Sequence, residues 1–167
     1  MDIYAIFIDP AVNTLTDATY FGTGAANTYP SPSSYDTAAT GVPAAVGPGG
    51  TIGGPLLHDI GRGMPKLRFF NQITVAVTSA GAATVEVDFI DADDGALSVN
   101  VTTLLQSPAI AKANLVIGYR YRHGSVPGVT GRRYWGAQVV IGTATITAGA
   151  LYSALVLDVD DHADLLG

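Results

Sequence analysis

Acidic residues cluster at two places where a metal ion could find oxygen ligands. The run Asp91-Ala92-Asp93-Asp94-Gly95 has the carboxylates and the glycine that calcium loops use. If Gly95 is aligned with the glycine of such a loop, Ile90, Ala92 and Val101 fall where oxygen ligands are needed, so a β-turn is favoured. The second cluster comprises Asp158, Asp160, Asp161, His162 and Asp164. For this cluster a solvated acidic tail is favoured over a metal site. The sequence therefore predicts no metal site.

Side chains for covalent or acid–base catalysis do not form a recognisable set. The chain has no cysteine and no G-x-S-x-G motif, and Glu86 is its single glutamate, so a pair of catalytic glutamates is excluded. Two histidines stand beside an acid, His58 beside Asp59 and His162 beside Asp161, without a catalytic motif around either. A pair of catalytic aspartates stays open, although no motif marks one. We predict that the protein is not an enzyme and uses no cofactor.

Arginines stand beside aromatic residues in two segments, YRYR at 119–122 and RRYW at 132–135. Arginine and aromatic side chains are enriched at the centres of protein interfaces, where planar pairing and stacking persist without water. Structural salt bridges between neighbouring strands are the alternative, and both roles could hold for different arginines. The predicted interface arginines are Arg62, Arg120, Arg122, Arg132 and Arg133.

The elements that carry these side chains are short strands separated by turn signals. In the segment 117–123, Tyr119 and Tyr121 share one face with Ile117 and His123, whereas Arg120 and Arg122 share the other. Residues 109–116 could form one or two helical turns. Strands are predicted at 3–8, 67–77, 84–90, 97–105, 117–123, 133–141, 144–147 and 151–159. This pattern predicts an all-β sandwich of the jelly-roll type, with an immunoglobulin-like sandwich as the alternative.

A long irregular tract precedes most of these strands. Residues 22–55 are rich in Gly, Pro, Ala, Ser and Thr, a composition that cannot bury enough side chain to offset chain entropy by itself. We therefore divide the chain into an N-terminal strand plus an arm or insertion, 1–58, and a sandwich with an acidic tail, 59–167. The arm is either disordered or ordered on a partner. Its apolar anchors would be Tyr20, Phe21, Tyr29 and Tyr35.

The overall charge is unusual for a free-standing domain. Only 13% of the 167 residues are charged, against roughly 25% in an average soluble domain, and 48% are hydrophobic. This balance favours a surface covered by partner proteins over a small domain with a Thr/Ser/Asn surface. The net charge of −6 argues against nucleic-acid binding. Gly and Pro interrupt the long uncharged stretch 37–57, so it is not predicted to span a membrane, and no export signal is predicted because the apolar run at 3–8 has no basic segment before it.

Five stretches, taken in order, resemble the capsid cement (decoration) proteins of tailed double-stranded DNA phages. The most specific are the opening D-I-G-x-G-x-P and an R-R-Y strand start before a final apolar strand that ends in D-V. The resemblance spans about residues 59–160, and the tract 9–55 is longer than the family pattern. The five stretches are DIGRGMP at 59–65, SAGAATVEV at 79–87, GYR at 118–120, RRY at 132–134 and LVLDV at 155–159.

The resemblance implies a jelly roll on the outer surface of the phage head that bridges neighbouring subunits of the major capsid protein. It also implies a homo-oligomer on a symmetry axis of the capsid, with a dimer favoured and a trimer possible. Such a protein is made in the host cytoplasm and ends up on the virion. The alternative function is a carbohydrate- or receptor-binding sandwich on the virion surface, with Tyr119, Tyr121 and Trp135 as candidate aromatics.

Overall fold

The computed structural model describes residues 2–11, 27–36, 67–124, 126 and 132–157. The described residues form ten strands and one short 3₁₀ turn, Lys112–Asn114. The strands are β1 (Asp2–Ile8), β2 (Asn27–Pro30), β3 (Tyr35–Asp36), β4 (Leu67–Ser79), β5 (Thr84–Ala92), β6 (Thr102–Leu105), β7 (Ile110–Ala111), β8 (Arg120–Tyr121), β9 (Tyr134–Gly142) and β10 (Ile146–Leu157).

The strands form two antiparallel sheets. Sheet A has the order β1-β10-β4-β8, and sheet B has the order β2-β9-β5-β6, with β3 also paired to β9 and β7 also paired to β5. The chain crosses between the sheets at the β4–β5 and β9–β10 turns, and the first strand pairs with the last. The predicted all-β sandwich is confirmed, and this strand order agrees with a jelly roll.

The core lies between the sheets and follows from alternation along the long strands. Val85, Val87 and Phe89 of β5 point inward, whereas Glu86 and Asp88 point to the outer face. Sheet A contributes aromatic and aliphatic side chains; the rings of Phe69 and Phe89 lie 5.1 Å apart, centroid to centroid. The Tyr121 hydroxyl donates to the Val85 carbonyl oxygen at 3.1 Å and so joins the two sheets directly.

The loop after β5 folds back over the outer face of sheet B. Leu97 is 2% exposed and packs with Ile90, Ala92 and Tyr134 in a small cluster outside the main core. The Asp94 carboxylate accepts hydrogen bonds from the Ser98 and Val99 backbone N–H groups, both at 2.8 Å. The Asp-rich run is therefore used to order its own turn, in agreement with the β-turn that the sequence favours.

Two predicted strands are much shorter in the structure. Within 97–105 only Thr102–Leu105 is a strand, because Leu97 and Asn100 adopt positive φ angles of 56° and 51°. Within 117–123 only Arg120–Tyr121 is a strand.

Two neighbouring predicted strands, 144–147 and 151–159, form one continuous strand, Ile146–Leu157, with register shifts between Ile146 and Leu151. The predicted helical turns at 109–116 are reduced to the 3₁₀ turn.

Part of the predicted irregular arm belongs to the sandwich. Residues 27–36 carry β2 and β3, which both pair antiparallel with β9. β9 also directs Trp135, Ala137 and Val139 into the core. Pairing with this distant strand therefore gives residues 27–36 the buried contacts that their Pro-rich sequence does not supply locally. The division at residue 58 stays a prediction, but the segment 27–36 is not an arm.

Candidate interaction surface

The outer face of sheet A carries an apolar cluster that is separate from the core. Phe70 follows core residue Phe69 on β4, so it points outward, and it packs with Tyr152, Ala154 and Val156 of β10. The Phe70 and Tyr152 rings meet edge to face with centroids 6.1 Å apart. The sheet register pairs Phe70 with Ala154. Sheet A is therefore apolar on both faces; in its outer cluster Phe70 is 9% exposed and Ala154 and Val156 are fully buried, so only Tyr152 is partly accessible.

Arginines surround this cluster. Arg120 precedes the buried Tyr121 on β8, so its side chain lies on the outer face, where the guanidinium carbon is 5.3 Å from the Phe70 ring centroid. Arg122 lies just beyond β8 and is exposed. Arg68 is the cross-strand partner of Val156. The structure thus brings one predicted interface residue, Arg120, to this aromatic cluster and leaves a second, Arg122, exposed two residues further along the chain.

The two sheets differ in the sign of their charge. The strands β4, β8 and β10 contain Arg68 and Arg120 and no acidic residue, whereas β1 contains Asp2, and burial together with Asp9, just after β1, raises the pKa of Tyr152. The strands of sheet B contain no basic residue, and their acidic residues are Asp36, Glu86, Asp88 and Asp91. An acidic partner surface would consequently match the part of sheet A around Arg120 better than it would match sheet B.

Asp88 is one of two buried acids of sheet B, the other being Asp91. Asp88 is 3% exposed, and burial raises its pKa to about 6, opposed by a hydrogen bond from the Ser107 backbone N–H at 3.2 Å. The neighbouring Glu86 carboxylate raises the pKa of Asp88 further. Ser107 also accepts at Oγ a hydrogen bond from the Val87 N–H, so Asp88 and Ser107 stabilise the break between β6 and β7.

The other two described arginines have partners within the chain. Arg133 makes a bidentate ion pair with Asp36, with both N···O distances at 2.7 Å, and this hydrogen bonding raises the pKa of Arg133. The Arg132 backbone N–H donates to Asp91, and its guanidinium lies 3.6 Å from an oxygen of Asp93. For Arg132 and Arg133 the structure therefore shows the predicted alternative, salt bridges between neighbouring elements, and their interface role stays a prediction.

The remaining predicted interface residues divide into two groups. Tyr29 on β2 and Tyr35 on β3 pack against the core from sheet B, and the Tyr35 ring lies 6.1 Å from the Trp135 ring. Both residues are therefore partly used within the fold, although neither is fully buried. Arg62, Tyr20 and Phe21 lie outside the described residues.

Phe70 and Tyr152 were missed by the sequence reasoning. Both occupy alternating positions in long strands whose opposite face is also apolar, so the alternation does not show which face is the core. They could have been identified only from the knowledge that β4 pairs with β10 on one side and with β8, which carries Arg120, on the other.

Within the described residues, neither a metal-binding group of side chains nor a membrane-spanning helix is present. The described residues contain no group of three or more His, Asp or Glu side chains placed to hold a metal ion. The predicted acidic cluster from Asp158 to Asp164 lies outside them. None of the helical segments in the described ranges has the length and hydrophobicity to cross a bilayer.

The comparisons with known proteins identify the family of the chain. No curated protein matches the sequence. The family model Bbp16 matches residues 51–156, which is more than half of the chain and includes every strand from β4 to β9 and most of β10. The chain therefore belongs to the Bbp16 family, which is phage-related.

Proposed function

We propose that this chain is a structural virion protein that binds the outer surface of the phage head and clamps neighbouring subunits of the major capsid protein. It would be made in the host cytoplasm, act without catalysis or a cofactor, and assemble as a homo-oligomer, with a dimer favoured over a trimer. The phage-related family supports the virion setting. The resemblance of residues 59–160 to capsid cement proteins supports the clamping role.

The observation that carries the proposal is the outer face of sheet A. Arg120 lies over Phe70 and Arg122 is exposed just beyond β8, and the strands β4, β8 and β10 contain no acidic residue. An arginine held over an aromatic ring keeps much of its interaction strength when a partner removes water. The exposed arginines beside the buried cluster are therefore the groups that a partner would contact.

The clamp would act by mass action. A protein that binds assembled shell subunits and not separated ones shifts the equilibrium toward the assembled shell. If two copies are joined, binding of the first raises the effective concentration of the second, so contacts of modest strength become durable. Internal pressure from packaged DNA loads the contacts between shell subunits, and a bridging clamp shares that load.

The structure does not favour the carbohydrate-binding alternative. Tyr121 and Trp135 are 5% and 4% exposed, so neither presents a ring face on which a sugar could stack. Tyr119 is half-buried, and its ring packs edge to face on Tyr121 at 5.3 Å. The three aromatics are therefore engaged with the fold.

The proposal can be tested by removing and restoring the protein on purified phage heads. Heads stripped of the protein should release DNA or fall apart at a lower temperature than intact heads, and adding back the wild-type chain should restore the original temperature. Arg122→Gln should restore it less completely than Asn27→Asp, which lowers the net charge equally at an exposed position on sheet B. Heads that melt identically with and without the protein would overturn the proposal.

A further inference from the structure

Three large apolar side chains are exposed together beside sheet A. Val75, Val116 and Ile117 are 50%, 55% and 70% exposed, and Ile117 is the most exposed large hydrophobic residue of the described chain. Val75 belongs to β4, and residues 115–119 run along the same strand. We call these three side chains the apolar knob. Because exposed hydrophobic side chains grouped in this way mark contact sites, the knob needs an explanation.

A tight turn presents the knob. The Tyr119 N–H donates to the Val116 carbonyl oxygen at 3.0 Å, which closes a β-turn with Ile117 and Gly118 at its centre. Gly118 has a φ of +88°, the value that position three of a type II turn requires. Open space surrounds the position where a Cβ would sit on Gly118, so the glycine serves the backbone conformation.

Backbone hydrogen bonds fix this turn against β4. The Val77 N–H donates to the Leu115 carbonyl oxygen at 3.0 Å, and the Gly118 N–H and the Tyr119 carbonyl oxygen bond with Ile73 at 2.8 and 2.9 Å. Leu115 is itself fully buried. The conformational entropy of the turn is therefore lost on folding, so a partner that covers the knob need not order it.

The knob adjoins the arginine surface of sheet A. The Gln72 side-chain amide lies 3.5 Å from the Gly118 carbonyl oxygen, and Gln72 is the cross-strand partner of Arg120. A second copy of the chain placed symmetrically on this site would bring like-charged arginines together around the knob, which disfavours self-association here. A partner with carboxylates at the same positions would be attracted instead.

We propose that the apolar knob inserts into an apolar recess, bordered by carboxylates, on the surface of the shell protein. The inference rests on the proposed function and names the contact that would carry it. Ile117 fills the recess, and Arg120 and Arg122 pair with the acidic border. Interface hot spots have the same arrangement, in which a polar rim surrounds an apolar anchor from which water is excluded.

Co-sedimentation with stripped phage heads tests the knob. Val116→Ser/Ile117→Ser should weaken binding by about tenfold or more, because truncated anchors dominate the loss of affinity. Ile117→Leu keeps the apolar volume and should bind within about twofold of the wild type. Val99→Ser is the matched control, since Val99 is 48% exposed on the loop that covers sheet B, and it should bind like the wild type. Circular dichroism and urea unfolding confirm that each variant is folded.

The outcomes separate the two proposals. If the wild type binds heads and the double serine variant binds equally well, the proposed role of the knob is wrong and the proposed function stands. If the wild type fails to bind stripped heads, the proposed function is wrong, and the proposed role of the knob is wrong as well. Binding that does not weaken as salt is raised would overturn the carboxylate border, because charge pairs at a rim are screened.

Discussion

Leu97 lies against Gly136 so closely that a Cβ on Gly136 would overlap Leu97 Cδ1 and come within 3.0 Å of Ser31 Oγ. Gly136 is in the middle of β9, and Leu97 reaches it from the loop after β5 with a positive φ of 56°. The glycine therefore creates the space in which the loop covers sheet B. Without that space the loop could not fold back on the sheet.

Gly136→Ala should lower the free energy of unfolding by about 1–3 kcal/mol, because the added methyl group must displace Leu97. Urea unfolding followed by fluorescence of Trp135 measures the change. Gly95→Ala is the control, since its added Cβ would meet only ordinary contacts at 3.5 Å or more. In Gly136→Ala/Leu97→Ala the two losses should not add, because the second change removes the overlap. Additive losses would contradict the packing described here.

The four described predicted arginines should separate into two classes in head binding. Arg120→Gln and Arg122→Gln should each weaken co-sedimentation with heads, whereas Arg133→Gln should leave it close to the wild type, because Arg133 is engaged by Asp36. Arg132→Gln should behave like Arg133→Gln, since Arg132 faces Asp91 and Asp93. If all four substitutions weaken head binding equally, the ion pairs of Arg132 and Arg133 do not prevent these two residues from contacting the head.

Asp88 should make the protein less stable as the pH rises. Its pKa is about 6 in the folded chain against 3.8 ordinarily, so between these values the folded state binds more protons than the unfolded state. Stability then falls with rising pH across that window and is constant above it. Asp88→Asn should raise the unfolding free energy above pH 6 by on the order of 1–2 kcal/mol, with a smaller gain toward pH 4. A gain that is equal at both pH values would contradict this assignment.

His123 should have the opposite effect over nearly the same range. Burial lowers its pKa to about 4 from 6.5, and its ring lies 4.8 Å from the Phe69 ring. Between these values the unfolded state binds more protons, so stability is lost as the pH falls. Compared with the wild type, His123→Phe should therefore gain stability as the pH is lowered from about 6.5 to 4. Unfolding curves at several pH values measure this, and a pH-independent difference would contradict it.

Ser153→Ala should stabilise the protein by about 1 kcal/mol, because a buried hydroxyl without a protein partner costs free energy. Ser153 and its cross-strand partner Asn71 are both fully buried, and neither side chain has a hydrogen-bond partner among the described residues. Thermal and urea unfolding measure the change. A loss of stability on this substitution would instead indicate a hydrogen bond to a buried water molecule.

Alternation along the chain predicts the long strands well and their ends poorly. β4, β5 and β9 are close to their predicted bounds because each keeps a regular pattern of apolar residues against a wide core. The prediction for Ile117 is wrong: it does not share the face of the buried Tyr121, because the turn at Gly118 redirects the chain. A single glycine in an otherwise alternating segment does not reveal a positive φ.

The candidate surface was only half predictable. Arg120 and Arg122 follow from their alternation with Tyr121, but the contact of Arg120 with Phe70 depends on the pairing of β8 with β4, which are about 50 residues apart in the chain. The ion pair of Arg133 with Asp36 likewise depends on β3 pairing with β9. Such long-range registers are not encoded in any local pattern.

The position of β10 has a consequence for synthesis on the ribosome. β1 and β4 both pair with β10 and not with each other, so β1 has no partner in sheet A, and β4 has only the two-residue β8, until Ile146–Leu157 has left the exit tunnel. The nascent chain therefore holds largely unpaired apolar strands until late in translation, which exposes it to aggregation and makes chaperone contact at that stage valuable.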